Sequence, residues 1–152
     1  MNTPHTGACL CGDIQYTVTG ELNRIIACHC VNCRKISGAG CSHNLVVKTE
    51  QLQVTRGEPQ VYEDTAASGN RLYRHFCGRC GSSLFSRRAA MPEITVLKAG
   101  SLDDASGAQL AMNIWTDSAL PWMAIDPAIE HHAQNRPVPQ ASASSPKAAD
   151  SK

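Results

Sequence analysis

Apolar and polar residues alternate along this chain in short runs closed by turn residues. In DIQYTV (13–18), Ile14, Tyr16 and Val18 face one way and their polar neighbours the other, the two-residue period of a half-buried strand. Looser versions of the same signal mark RIIAC (24–28), HNLVVK (43–48), LQVT (52–55) and QVYE (60–63), the last after a turn at RGEP (56–59). NRLYRHF (70–76), SSLFS (82–86), EITVLKAG (93–100) and LAMNIW (110–115) complete the set, with the polar loop SLDDASGAQ between the final two. Helical periodicity is nearly absent. A turn or two starting near Asn32, a favourable N-cap, and running through CRKIS to Gly38 is the one candidate. Residues 131–152 hold almost no large apolar side chains and are rich in Pro, Ser, Ala and Lys, the composition of a disordered tail. The pattern predicts a mainly β domain with little helix: a flexible N-terminus over 1–6, a folded unit over 7–130 and a tail over 131–152.

Composition narrows the class. A chain of 152 residues with 42% hydrophobic residues suits one soluble domain with a modest core. The formal charge of +1 provides no basic face, so no nucleic acid is expected as a partner. No apolar run approaches the roughly 18–20 residues that span a bilayer, so no membrane partner is expected either. MNTPHTGACLCG lacks the charged and apolar regions of a secretory signal, which points to a cytoplasmic protein.

Cysteine usage changes the picture most. The eight cysteines fall into clusters: Cys9 and Cys11; Cys28, Cys30 and Cys33; Cys77 and Cys80; only Cys41 stands apart. In a reducing compartment such clusters argue for metal rather than a disulfide framework. Alternate strand residues share a face, so Cys9 and Cys11 point the same way before the first strand, as do Cys28 and Cys30 after the second. Spacing permits two divisions. Cys30 and Cys33 can pair with Cys77 and Cys80, across an interval longer than the roughly 15–20 residues of a compact zinc ribbon. Alternatively, Cys9, Cys11, Cys77 and Cys80 close one four-thiolate site, and Cys28, Cys30 and Cys33 form a three-thiolate site with an open vertex. Closed sites are structural, and three protein ligands with an exchangeable fourth position mark a catalytic site.

GACLCGDIQYTV, CHCVNCRKISG, FCGRCGSSLF and NIWTDSALPWM resemble the successive motifs of the glutathione-dependent formaldehyde-activating enzyme family, from about Gly7 to about Pro127. The chain also resembles centromere protein V. The resemblance implies a β-tent fold of short antiparallel sheets, stabilised by zinc, with two zinc ions per chain. It assigns structural zinc to Cys9, Cys11, Cys77 and Cys80, and catalytic zinc to Cys28, Cys30 and Cys33. The implied activity is that of a carbon–sulfur lyase or synthase of the S-(hydroxymethyl)glutathione synthase type, joining a small-molecule thiol, glutathione, to an aldehyde such as formaldehyde.

Glutathione carries two carboxylates, so cations near the triplet are candidate contacts. Arg34 and Lys35 follow it directly, and Arg71 and Arg74 precede Cys77; each is otherwise an ordinary solvated charge. On a strand, the His29 ring points away from a metal held by its neighbours, as an outer or surface group rather than a ligand. Cys41 is read as a small buried hydrophobe, with closure of the open vertex as the alternative. Trp115 and Trp122 suit either core packing or a pocket wall. Two further functions compete with the enzyme: a zinc-stabilised protein-binding module with both ions structural, and a redox or zinc-buffering role for the triplet.

Overall fold

The computed structural model describes residues 4–66 and 69–137. Strands β1 (His5–Ala8), β2 (Gln15–Val18) and β5 (Leu52–Arg56) form a small antiparallel sheet in the order β1-β2-β5. The other layer is an eight-stranded sheet. Its first members in chain order are β3 (Arg24–Cys28), β4 (Ser42–Lys48), β6 (Gln60–Thr65) and β7 (Arg71–Phe76). β8 (Ser83–Arg88), β9 (Met91–Lys98), β10 (Gln109–Ile114) and β11 (Glu130–His131) complete it, in the order β11-β10-β3-β4-β9-β8-β7-β6. The mainly β expectation holds, and the single α-helix among the described residues, α1 (Val31–Ser37), has seven residues. No helix among the described residues is long and apolar enough to cross a membrane.

The core lies between the layers because alternation gives each sheet one apolar face. Tyr16 and Val18 from β2 and Leu52 from β5 meet Leu45 and Val47 from β4, Phe85 from β8 and Leu97 from β9, all buried. The opposite face of the large sheet is polar and yet partly buried. Ser42, Asn44, Arg74, Ser86 and Lys98 are all withdrawn from solvent there.

Three features differ from the sequence expectations. The large sheet is mixed rather than antiparallel: β10 pairs in parallel with both β3 and β11. The chain completes the β8–β9 hairpin before it returns to the far edge of β3, and that crossing reverses its direction relative to a hairpin partner. His5 and Thr6, expected in a flexible terminus, belong to β1 and pair with Val18 and Thr17. Finally, residues 131–136 do not behave as tail. The backbone N–H groups of Trp115, Thr116 and Asp117 donate to the carbonyls of Gln134, His132 and Ala133, and Trp115 Nε1 donates to Asn135 Oδ1 at 3.0 Å. Backbone pairing of this kind needs no apolar side chains, which is why the composition conceals it. The rest of the expected tail, 138–152, and residues 1–3 of the expected N-terminus lie outside the described residues.

Candidate metal centres

Two thiol clusters form, and they contain the residues of the second division by spacing. The Sγ atoms of Cys9, Cys11, Cys77 and Cys80 lie within 4.8 Å of one another, as do those of Cys28, Cys30 and Cys33. All eight cysteines are free thiols. A tetrahedron with metal–sulfur bonds of about 2.3 Å has edges of about 3.8 Å. The Cys9–Cys11 and Cys11–Cys77 separations of 3.5 and 3.7 Å match that edge, and all four sulfurs lie within 4.8 Å of one another, so the cluster fits a zinc-sized ion. Soft donors of this type select zinc or another thiophilic cation over magnesium or calcium.

The four-sulfur site is built from two turns. Cys9 and Cys11 leave β1, and the Ile14 N–H donates to Cys9 Sγ at 3.2 Å. Cys77 and Cys80 follow β7 in a turn closed by the Gly81 N–H on the Cys77 carbonyl at 2.8 Å. Gly81, with φ of 76°, occupies the left-handed region that a side chain would resist. The Ser82 hydroxyl and N–H hold the Cys80 thiol down at about 5. The site therefore ties the end of β1 in the small sheet to the β7–β8 turn of the large one.

The three-sulfur site comes from one continuous segment. Cys28 ends β3, Cys30 is the N-cap of α1, and Cys33 sits in its first turn. The expected cap was Asn32. The Cys30 sulfur takes the role instead, accepting the Cys33 N–H at 3.3 Å, and Gly38 closes the helix at φ 64°. Bonding from the Cys28 and Cys33 thiols holds Cys30 down at about 2, while the same pairing with Cys30, then Cys33, then burial drives Cys28 far above the ordinary thiol range. The three thiols are thus coupled through one another, and binding a cation there would displace their protons.

The surroundings of this site were only partly foreseen. Residues opposite each other in an antiparallel pair share a face, so Cys28, opposite Ser42, lies on the polar face with Ser42, Asn44 and, opposite Asn44, Lys98. Lys98 is 8% exposed, and its Nζ donates to Ser42 Oγ at 2.7 Å and Asn44 Oδ1 at 2.8 Å. Burial lowers its proton affinity, and Cys33, Cys28 and Cys30 oppose that. The sequence carries no alternation that would signal this trio, since Ser42, His43 and Asn44 are three consecutive polar residues.

Other expected contacts divide. Arg74 is committed elsewhere: its Nε and Nη2 both donate to Asp64 Oδ2, at 2.9 and 2.7 Å, and both side chains are largely buried. Arg71 makes an exposed pair with Glu63. Arg34 stands in α1 with its Nε buried and without a hydrogen-bond partner, and Lys35 is exposed. His29 is 1% exposed rather than at the surface, its Nε2 3.0 Å from Asn113 Oδ1. Cys41 is buried and belongs to neither cluster; its Sγ lies 3.7 Å from His43 Nε2. Trp122 is 69% exposed, which excludes core packing, and a Cβ placed on Gly40 would lie 2.8 Å from its ring. A cavity of about 490 Å³ bounded by Cys9, Cys41, Ser42, His43, Lys98 and Leu102 has none of Cys28, Cys30 and Cys33 in its wall.

Comparison with known proteins identifies the family. A curated protein of Fusarium vanettenii named "Putative glutathione-dependent formaldehyde-activating enzyme" is 32% identical over 81 residues, which is 52% of this chain and 41% of that protein. The chain thus matches less than half of that relative's length. A Rhodobacter sphaeroides protein of known crystal structure superimposes with a TM-score of 0.54 at 22% identity, covering 64% of this chain and 87% of the other, a likeness of fold. The family model described as "Glutathione-dependent formaldehyde-activating enzyme" matches residues 4–118, a span holding both thiol clusters and most of the chain. On that match, the chain belongs to the glutathione-dependent formaldehyde-activating enzyme family.

Proposed function

We propose that the protein is a zinc-dependent carbon–sulfur lyase and synthase of the S-(hydroxymethyl)glutathione synthase type, joining glutathione to formaldehyde or a similarly small aldehyde. The observation that carries this reading is the asymmetry of the two clusters. Four sulfurs complete one coordination sphere, while the three of the second have no fourth protein ligand among the described residues. Cys9, Cys11, Cys77 and Cys80 would hold a structural ion; Cys28, Cys30 and Cys33 would hold the catalytic one. Bound there, zinc supplies an exchangeable position at which a thiol is kept as thiolate near neutral pH.

The chain's own residues do the rest. Cys28, Cys30 and Cys33 fix the geometry of three vertices from a single turn, so the free vertex keeps one direction. Arg34, whose Nε has no hydrogen-bond partner, and the exposed Lys35 would meet the glutathione carboxylates. In the synthetic direction a carbon–sulfur bond forms, the carbonyl π pair moves onto oxygen, and the proton lost by the thiol is replaced on that oxygen. The reverse step releases thiol and aldehyde. Thiol addition to formaldehyde is intrinsically facile, so the main contribution is to hold both reactants together. Free thiolates of this density require a reducing compartment, which fits the cytoplasm.

Metal analysis of the full chain tests the reading. Two zinc ions per chain are expected, and Cys30→Ser should lose one of them, together with adduct formation followed by NMR, while circular dichroism stays unchanged. Undiminished turnover in that variant refutes the assignment. Calorimetry with millimolar reduced glutathione separates the enzyme from a binding module, which would give no heat.

A further inference from the structure

The polar face of the large sheet carries a buried cation that the functional reading leaves unused. Burying an ammonium is costly unless a counter-charge compensates it. Among the described residues no carboxylate pairs with Lys98; its Nζ is held by two neutral groups, Ser42 and Asn44. The other buried cation of this face, Arg74, has its charge met by Asp64. Strand register places Lys98 on the same side of the sheet as Cys28, whose cross-strand neighbour is Ser42. The negative charge available to Lys98 is therefore that of the three-thiolate cluster. Burial lowers its proton affinity most, Cys33 raises it, the charge of Arg74 lowers it again, and Cys28 and Cys30 raise it.

We propose that Lys98 is the fixed counter-charge of the three-cysteine site, positioned by Ser42 and Asn44 so that the site accepts a fourth, anionic sulfur ligand. The proposal deepens the open-vertex reading and rests on it. Three thiolates around a divalent cation carry a net charge of −1, and a fourth thiolate raises this to −2. A hydrated cation in free solution would screen that charge weakly, whereas an ammonium with low exposure acts through a medium of lower effective dielectric. Lys98 thus makes up for the weak Lewis acidity of a sulfur-rich site. It is a positioning residue, acting through the charge of the ligand sphere and not by contact with the reacting carbon.

The test is spectroscopic. The full chain is loaded with Co²⁺ in place of zinc, and the sulfur-to-cobalt charge-transfer and d–d bands are followed while 2-mercaptoethanol is added at fixed pH. This uncharged thiol responds to the charge at sulfur and to no carboxylate contact. The closed four-sulfur site contributes a constant background. The wild-type difference spectrum should saturate. Lys98→Met should need at least tenfold more thiol for half-saturation while keeping two metals per chain, and Lys98→Arg should fall between. Lys98→Met should fold, because methionine fills similar volume and Ser42 Oγ already donates to Asn44 Oδ1 at 3.0 Å, so neither group is orphaned. A wild-type site that responds, with Lys98→Met responding identically, overturns the Lys98 assignment alone. A wild-type site blind to thiol overturns the open vertex and Lys98's role together.

Discussion

Emptying either metal site removes one ion, but the two losses should not cost the same stability. Cys11 and Cys77, in contact at 3.7 Å, are 66 residues apart in sequence, so an ion at the four-sulfur site closes a long loop of the unfolded chain. Cys28 and Cys33 are five residues apart, and an ion there closes almost nothing. If ligand bonding is of similar strength in the two sites, the difference is the loop-closure entropy, (3/2)RT ln(66/5), or about 2.3 kcal/mol. For a chain of this size that corresponds to about 5–9 °C in Tm. The comparison uses matched double variants, Cys11→Ser/Cys80→Ser and Cys30→Ser/Cys33→Ser, each removing two half-buried sulfurs and leaving the most buried ones. Serine also keeps the N-cap of α1 in the second pair. Metal content by mass spectrometry should read one ion per chain in both, and scanning calorimetry should place the first variant well below the second. Equal melting temperatures, or the reverse order, would refute the idea that one site staples the layers and the other is local.

Three further outcomes follow from the packing. Asp64→Asn removes the charge that compensates Arg74, whose side chain is 7% exposed, and should cost about 3–5 kcal/mol in urea unfolding. Gly7→Ala puts a Cβ 2.6 Å from the Ser101 carbonyl oxygen and closer still to the Tyr16 ring, so β1 must shift; expression as soluble protein and zinc content should both drop. His75 stacks on Phe85 with ring centroids 4.3 Å apart, and burial, then Arg87, lowers its proton affinity from 6.5. Below that pH the unfolded chain takes up a proton that the folded chain resists, so stability falls as pH drops below about 6.5. His75→Gln should flatten that part of the melting-temperature profile relative to wild type.

What could be read from the sequence follows the range of each interaction. β2 was legible because Ile14, Tyr16 and Val18 alternate strictly, and all three are buried. The thiol clusters were legible because close spacing delivers sulfurs together whatever the tertiary details. Lys98 was not. It reads as a strand-end lysine until the register of β4 and β9 sets it opposite Asn44, 54 residues away. The parallel β3–β10 pair and the two-residue β11 depend on backbone hydrogen bonds between distant segments, which leave no mark on hydropathy. Cys30 as a helix cap was hidden for another reason: sulfur is not among the usual capping acceptors, yet here it accepts the Cys33 N–H at 3.3 Å.

The segment that runs beside β10 has a practical bearing on how this protein is produced and dissected. The family match stops at residue 118, yet the backbone of residues 130–134 lies against Met112–Asp117. A clone trimmed to the matched span would strip a protective selvedge from β10, the strand adjoining the one that ends in Cys28. Such a clone would present fresh donors and acceptors to other molecules and clump, and a worker comparing fragments would blame the missing metal for a fault in the cutting.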